Sequence, residues 1–384
     1  MERIQNLFCA GLVLVASLSA CSESIGDPSY ATEAKIGNGL GLGVKNWATS
    51  PSSKMDHVVF GYLGNWSTSP MGGNIDVSTL PWTKLTHLME AFAVPADTSG
   101  TVSLPGGTRT NLISTAHSNS TRVYLSLGGA AASTSNFSAS VAPAVVDTFV
   151  ANIMSLVTTN SYDGVDIDWE FPGASDKSNF TTFMTKLSTA LRATNGYDGD
   201  PRGLTFFVSP GTRLCGMDFP ALKTLTDYAT LSGYDYGISQ FNGPLVDTRY
   251  YQDCFGQTRR ASVASSVETL VSLGWPLDQL VLGAPLYASA SDIGAVLIIG
   301  SGTFIKYNTP QAEASYTYSG STRIINTSQS FCDKMTWAAS NGLAGVGLWE
   351  LSHAYPPTHA AVASIWSVIG GGACVSSDVA SFFN

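Results

Sequence analysis

The sequence predicts an α/β protein with a (β/α)8 TIM-barrel fold. Short apolar stretches rich in β-branched and aromatic residues occur eight times, and amphipathic helical patterns separate several of them. A doubly wound open sheet is the alternative, but such sheets usually contain fewer strands. Because 44% of the 384 residues are hydrophobic, the chain can bury a large core, which excludes a disordered protein.

The predicted strands follow one another along the chain from residue 57. They cover residues 57–63, 85–94, 122–127, 163–170, 204–210, 235–242, 279–287 and 344–351. Apolar residues spaced three and four apart predict helices over 145–156, 176–192 and 263–271. Residues 288–343 are too many for one loop and one helix, so we expect a small excursion there between the seventh and eighth strands. The stretch is short for a complete inserted domain.

The first twenty residues have the composition of a signal peptide, with Arg3 followed by an apolar stretch over 7–18. That stretch is too short to span a membrane permanently. It ends beside Cys21 in a pattern that resembles a bacterial lipoprotein box, which predicts Cys21 as the lipidated first residue of the mature chain. An ordinary signal peptide is the alternative. In both cases we expect export, to the cell surface or outer membrane if lipidated and otherwise by secretion.

The remaining domain boundaries follow from composition. Residues 21–54 are polar and glycine-rich, which predicts a flexible tether. Residues 55–370 carry the strand and helix patterns of the barrel, and we expect 371–384 to form a tail. The net charge is −9 and no run of lysine or arginine occurs, so a nucleic-acid partner is not expected. We expect contact with a membrane only through the lipid.

Four cysteines lie beyond the N-terminal segment: Cys215, Cys254, Cys332 and Cys374. An even number in an exported chain predicts disulfide bonds, and the absence of short paired spacings argues against a metal site. We predict a Cys215–Cys254 bond, because both cysteines follow neighbouring predicted strands. Cys332 then pairs with Cys374, from the start of the last helical pattern to the end of the chain. Spacing alone does not determine this connectivity.

The most informative stretch is the fourth predicted strand. Strand side chains alternate, so Asp166, Asp168 and Glu170 share one face, while the residues between them are isoleucine and tryptophan. Three carboxylates on the inner face of a barrel cannot all ionise, and a carboxyl that holds its proton near neutral pH is what a general acid requires. The alternatives are a solvated acidic edge strand and a calcium site. The apolar intervening residues argue against the first, and the lack of a ligand loop argues against the second.

This strand resembles the D-x-x-D-x-D-x-E signature of glycoside hydrolase family 18. Five further stretches resemble motifs of that family in the same order along the chain, on its first, second, third, seventh and eighth strands: residues 57–62, 87–92, 126–129, 282–287 and 347–349. The resemblance extends over most of residues 57–370. It implies the barrel fold and hydrolysis of chitin or another N-acetylglucosamine-containing glycan by a monomeric enzyme without a cofactor.

The resemblance also implies roles for individual residues. Glu170 would protonate the glycosidic oxygen, while the 2-acetamido oxygen of the substrate attacks the anomeric carbon with net retention. Asp168 would orient the acetamido N–H and stabilise the cation, and Asp166 would share its proton from beneath. Trp349 would form the floor of the cleavage subsite, and Tyr62 and Phe92 are further candidates for sugar contacts.

Two departures from the family pattern are visible. The family's sixth strand usually ends in a tyrosine that steadies the acetamido oxygen, and residues 235–242 show none in the expected place. Gln240 or Asn242 could donate an amide N–H instead, or Tyr287 could take part. The seventh strand also lacks the arginine that often follows its tyrosine.

Three functions are therefore compatible with the sequence. A chitinase is the main prediction, because the Trp-Glu-Phe-Pro context around Glu170 favours polymer hydrolysis. An endo-β-N-acetylglucosaminidase acting on N-glycan cores is one alternative, and members of that kind tend to lack this context. The other is a non-catalytic chitin-binding lectin on the same barrel, and such proteins typically lose the glutamate that is retained here.

Overall fold

The computed structural model describes residues 57–237, 241–289, 293–309 and 311–374. The predicted signal peptide, Cys21 and the tether lie outside these ranges, as does Gln240. The strands in chain order are β1 (Val58–Gly64), β2 (His87–Pro95), β3 (Val102–Ser103), β4 (Arg122–Gly128), β5 (Gly164–Asp168), β6 (Gly203–Val208), β7 (Tyr228–Leu231), β8 (Tyr250–Gln252), β9 (Thr258–Arg260), β10 (Leu280–Pro285), β11 (Thr303–Asn308), β12 (Glu313–Tyr318), β13 (Ser321–Ile325) and β14 (Gly345–Trp349).

Eight parallel strands form a closed barrel in the order β1-β2-β4-β5-β6-β7-β10-β14, and β1 pairs with both β2 and β14 to close it. The predicted (β/α)8 architecture is confirmed. The short β3 adds to β2 in antiparallel orientation, and β8 and β9 form a separate hairpin. Because all barrel strands run the same way, their carboxyl ends meet at one mouth, where the loops assemble a site.

Helices cover the outside of the barrel. They are α1 (Leu112–Ser118), α2 (Thr134–Ser140), α3 (Val146–Asn160), α4 (Lys177–Arg192), α5 (Phe219–Leu225), α6 (Val263–Ser272), α7 (Ala295–Ser301), α8 (Ser328–Ser340) and α9 (Ala360–Ile369). In the described ranges no helix combines the length and the apolar character that crossing a membrane requires.

The packing of α4 shows how the sequence pattern becomes structure. Phe180, Met184, Leu187 and Leu191 recur at helical spacing and are all buried in the core. Each buried side chain of this size contributes about 1.5–3 kcal/mol by leaving water. The exposed positions between them are polar, so α4 has one orientation against the barrel, directly after the strand that carries the carboxylates.

The prediction for the sixth barrel strand is wrong. This strand is Tyr228–Leu231 rather than 235–242. Its four residues are too few to show a clear alternation of side chains. The aromatic and β-branched residues of 235–242, in contrast, are residue types that are typical of a strand. The chain does not continue as a strand there, because Asp235 has a left-handed backbone with a φ of 56°.

The predicted excursion between the seventh and eighth barrel strands is confirmed. It contains α7 and the antiparallel sheet β11-β12-β13. A buried ion pair joins this sheet to the barrel, with Lys334 Nζ 3.6 Å from Glu313 Oε1. The same lysine donates to the backbone oxygen of Gly243 (2.6 Å), and Glu313 accepts from the Gly243 N–H (2.9 Å). The pair therefore holds the loop that follows β7.

Both disulfide bonds occur as predicted. Cys215 is bonded to Cys254, and Cys332 is bonded to Cys374. The first joins the loop after β6 to the β8–β9 hairpin, and the second ties the chain after α9 to α8. Each therefore connects segments that are distant in sequence.

Candidate active site

The acidic face of β5 points into the barrel, and its deepest member is Asp166. The strand register places Ser126 of β4 and Thr205 of β6 beside it. The Ser126 hydroxyl donates to Oδ2 (2.8 Å) and the Thr205 hydroxyl donates to Oδ1 (2.7 Å). Burial raises the pKa of Asp166, although these hydrogen bonds act in the opposite direction.

Asp168 lies two residues closer to the mouth of the barrel, and its carboxyl has fewer hydrogen-bond partners than that of Asp166. Its side chain is buried, and its Oδ1 has no hydrogen-bond partner among the described residues. Burial raises its pKa well above the usual range, and the charges of Glu170 and Asp166 raise it further. Burial and the neighbouring carboxyls therefore both favour the protonated form of Asp168.

Glu170 lies just beyond the end of β5, at the mouth. Burial raises the pKa of its half-buried carboxyl, the positive charge of Arg213 lowers it, and the negative charge of Asp235 raises it again. The net result is an acid that keeps its proton more readily than a free glutamate. Such a group can donate a proton to a bound ligand.

Two glycines allow the strands to approach closely at this point. Gly128 ends β4 with a φ of 130°, and a Cβ there would lie 1.9 Å from the backbone oxygen of Asp168. A Cβ on Gly129 would lie 2.3 Å from the ring of Phe92. Glycine is therefore required at both positions of the Ser-x-Gly-Gly stretch for steric reasons, since any larger residue would displace β5 or Phe92.

A cleft of about 960 Å³ opens above the carboxylates, and one of its walls is aromatic. The rings of Phe92 and Trp349 stack at 5.5 Å with an interplanar angle of 19°, and Trp66 lies 5.7 Å from Phe92. Tyr62 meets Trp349 edge to face at 5.7 Å and also lines the cleft. Trp66 is 58% exposed, which is unusual for so large an apolar side chain. The structure thus brings Tyr62, Phe92 and Trp349 to the carboxylates.

The expectation that a sixth-strand tyrosine is missing is wrong. Tyr234 follows β7 and lines the cleft. Burial raises its pKa well above the usual range, and the charges of Asp168, Asp235 and Glu170 raise it further. The predicted sixth strand covers 235–242, so the tyrosine is expected at the end of that stretch and Tyr234, which precedes it, is passed over. The Tyr-Asp pair that follows the short strand is the sequence signal that could have identified it.

Asn242 does not reach the cleft. Its side chain is 2% exposed, its amide donates to the backbone oxygen of Tyr287 (3.3 Å), and its Oδ1 accepts from the Asp235 N–H (3.1 Å). The expectation that Asn242 replaces a tyrosine is therefore corrected: it supports the loop from behind. The Tyr287 hydroxyl donates to Asp235 Oδ2 (2.6 Å), so Tyr287 contacts a cleft residue rather than the cleft itself.

Sequence reasoning also misses Asp235 and Arg213, which line the cleft beside Glu170. Both lie outside the barrel strands and the α-helices, where periodicity does not mark a residue. In the described ranges no three histidine, cysteine, aspartate or glutamate side chains are grouped in a way that could hold a metal ion. The groups that line the cleft include carboxyls, phenols, aromatic rings and the guanidinium of Arg213.

A sequence model of the family described as "Glycosyl hydrolases family 18" matches residues 58–354, most of the chain. The chain belongs to this family. Its matched region covers all eight barrel strands and the whole of the cleft described above.

Among curated relatives, this family 18 chain is 30% identical to mouse (Mus musculus) chitotriosidase-1 over 193 residues, which are 45% of this chain and 41% of that protein. It is 26% identical to a probable endochitinase of Caenorhabditis elegans over 270 residues, 60% of this chain and 43% of that protein. The similarity thus spans less than half the length of either relative.

Solved structures show the same fold. A mutant class V chitinase from Nicotiana tobaccum, in complex with NAG4, aligns with a TM-score of 0.66 and 21% identity over 83% of this chain and 100% of that one. A group IV chitinase from Ostrinia furnacalis aligns with a TM-score of 0.68 and 20% identity over 82% of this chain and 100% of that one. At this identity the likeness concerns the fold alone.

Proposed function

We propose that this family 18 protein is a chitinase that hydrolyses β-1,4 linkages between N-acetylglucosamine units, with retention of configuration and with Glu170 as the general acid. One observation carries the proposal. Glu170 is half-buried, its pKa is raised, and it lines an open cleft with an aromatic wall. Asp168 lines the same cleft, and its Oδ1 has no hydrogen-bond partner among the described residues.

In this mechanism Glu170 gives its proton to the glycosidic oxygen as the bond to the anomeric carbon breaks. The acetamido oxygen of the same sugar attacks that carbon and forms an oxazolinium ion, so no enzyme nucleophile is required. Water, activated by the ionised Glu170, then opens the ring and restores the configuration. The raised pKa suits the first step, because the carboxyl must enter the reaction protonated.

Asp168 is proposed to hold the acetamido group. Its Oδ1 is buried and accepts no hydrogen bond from the described residues, which is costly unless a ligand supplies a donor, and an acetamido N–H fits that need. Asp166 lies beneath, held by Ser126 and Thr205, and shares the proton of the pair. The phenol of Tyr234 then donates to the acetamido oxygen and keeps it below the anomeric carbon.

The aromatic wall is proposed to bind the sugar rings. Pyranose rings expose C–H faces that pack against aromatic side chains, and Trp349 lies at the end of β14 beside Tyr62 and Phe92. Trp66 extends the same wall outwards. An open cleft with several rings along one wall suits an extended chain better than a single terminal sugar.

The choice of a chitin substrate rests on the relatives. Those named above are called chitotriosidase and endochitinase, and a structural neighbour from Cycas revoluta was solved in complex with (GlcNAc)4.

We also propose that this protein is exported and acts as a monomer. Two disulfide bonds support export, because such bonds persist in oxidising compartments. Lipidation of Cys21 remains a proposal from the sequence.

The test is product analysis with purified protein and the Glu170→Gln variant, on chitin oligomers and on a high-mannose glycoprotein. We expect the wild type to cleave the oligomers and to release the β-anomer first, as seen by NMR of fresh product. Glu170→Gln should lose several orders of magnitude in kcat, because an amide cannot donate the proton, while keeping the wild-type melting temperature.

The outcomes separate the three functions. Cleavage of the glycoprotein alone would identify an endoglycosidase that acts on glycan cores. Binding of chitin without cleavage by the wild type would identify a lectin. A Glu170→Gln variant with near-wild-type turnover would contradict Glu170 as the acid, and an α-anomer formed first would contradict the oxazolinium route.

A further inference from the structure

Arg213 occupies an unusual position in the cleft. Of the described residues that line the cleft, it is the only arginine, and neither lysine nor histidine is among them. Its guanidinium lies over the ring of Phe171, with Cζ 4.3 Å from the ring centre. Phe171 directly follows Glu170, so the cation rests on the side chain next to the carboxyl that we propose as the proton donor.

The segment that carries Arg213 is fixed by its neighbours. It is a 3-10 helix over Gly211–Gly216, and the Cys215–Cys254 bond links it to the β8–β9 hairpin. A Cβ on Gly216 would lie 2.0 Å from the backbone oxygen of Pro172, so the helix packs closely on the segment that follows Phe171. The position of Arg213 is therefore set by two independent contacts.

Three elements present charged or titratable side chains to Glu170. Asp168 comes from β5, Tyr234 and Asp235 come from the loop after β7, and Arg213 comes from the 3-10 helix. The negative charge of Asp235 favours the protonated form of Glu170, and so does burial of the carboxyl. Arg213 is the group among these that favours the ionised form.

We propose that Arg213 is a positioning residue for Glu170: from its place on the Phe171 ring it balances the surrounding carboxylates so that the acid can both release and regain its proton. The inference rests on the proposed function for its consequence in catalysis. Its physical basis, a cation held beside one particular carboxyl, is independent of that function.

The balance matters because a retaining hydrolase uses one carboxyl twice. Glu170 must be protonated for bond cleavage and ionised when water attacks. Burial next to Asp235 without a compensating cation would hold the proton too strongly for the second step. Arg213 corrects this from outside the strand, where its exposed side chain stays in contact with solvent and is not itself buried at a cost.

The experiment compares Arg213→Gln and Arg213→Lys with Arg260→Gln as the matched control. Arg260 also lies over an aromatic ring, that of Tyr250, at 5.8 Å on the neighbouring hairpin, but it is not among the residues that line the cleft. The first measurement is a carbon-13 NMR titration of protein labelled at the glutamate carboxyls. The chain has eight glutamates, and the Glu170→Gln variant assigns the relevant signal.

We expect the titration midpoint of Glu170 to move to higher pH in Arg213→Gln, because the group that favours ionisation is gone. Arg213→Lys should move it less, since the charge remains while the planar stacking on Phe171 is lost. Arg260→Gln should leave it at the wild-type value. An unchanged midpoint in Arg213→Gln would overturn the proposal.

The second measurement is the pH profile of kcat/KM on chitin oligomers, whose basic limb reports the essential acid of the free enzyme. That limb should shift to higher pH in Arg213→Gln by the same amount as the NMR midpoint. A merely structural role would lower activity at all pH values and leave the limb in place, which counts against the proposal. If no oligomer is cleaved, the proposed function fails, while the NMR titration still decides the role of Arg213.

Discussion

Asp163 and Asp168 stand at opposite ends of β5, and both are buried, yet their surroundings differ. Asp163 accepts hydrogen bonds from the backbone N–H groups of Val123 (2.8 Å) and Tyr197 (2.9 Å), and it pairs with His117 Nε2 at 2.8 Å. Asp168 has one oxygen without any partner among the described residues and two carboxyl neighbours that disfavour its charge.

The difference separates stability from function along one strand. A buried carboxylate that accepts several hydrogen bonds offsets its desolvation and joins neighbouring segments. A buried carboxyl oxygen that accepts none costs free energy in the resting protein and is retained where a ligand supplies the missing donor. In barrels the amino ends of the strands serve stability and the carboxyl ends carry the site, and we propose that β5 does both within a few residues.

The largest effect that would test this contrast is expected from Asp168→Asn. The amide has the shape of the carboxyl but cannot carry the charge that we propose stabilises the oxazolinium ion. We expect kcat on chitin oligomers to fall roughly 10²–10³-fold, corresponding to about 2.7–4 kcal/mol in the transition state. The melting temperature should stay level or rise, because repulsion with Glu170 is relieved. A normal kcat would remove Asp168 from the mechanism.

Asp163→Ala should have the opposite effect: it should lower the stability of the protein and leave kcat unchanged. It leaves the buried N–H group of Val123 and the partly buried N–H group of Tyr197 without this acceptor, so we expect the free energy of unfolding to fall by about 2–3 kcal/mol. Urea unfolding measures the loss, and kcat at a temperature where the variant is folded should match that of the wild type. A loss of kcat with unchanged stability would show that the two ends of β5 do not divide their tasks in this way.

Tyr234→Phe sharpens the comparison at the carboxyl end. Removing a phenol that we propose donates to the acetamido oxygen should lower kcat roughly 10–100-fold, a cost of about 1.4–2.8 kcal/mol, with little change in KM. Tyr236→Phe is the matched control, because Tyr236 also lines the cleft but its hydroxyl is 2.9 Å from Ser266 Oγ. If both variants behaved alike, the loop would matter only for its packing.

Seven of the eight barrel strands lie within a few residues of their predicted positions, whereas the sixth does not. The seven lie in apolar stretches that are long enough for a strand pattern to be visible in the sequence. β7 has only four residues, which are too few to show a strand pattern, and it is held in the sheet by pairing with β6 and β10. Local preferences do not reveal a context-dependent strand of this kind.

The site shows the same limit. Asp166, Asp168 and Glu170 can be placed together from the sequence, because alternation along a strand is a property of the backbone itself. Arg213 and Asp235 cannot, because their places depend on where two loops end in space. The prediction for Asn242 is wrong for the same reason: nearness in sequence to the mouth does not bring its side chain into the cleft.

The sequence by itself determined the barrel, the carboxylate face, the excursion and the number of cysteines available for pairing. These follow from periodicity and residue type, which act over a few residues at a time. The tertiary structure alone decided which tyrosines and which cation line the cleft together with Asp168 and Glu170, and which oxygen of the described carboxyls lacks a hydrogen-bond partner. Those are outcomes of long-range packing, in which strand register, disulfide bonds and close glycine contacts bring together residues that no local pattern connects.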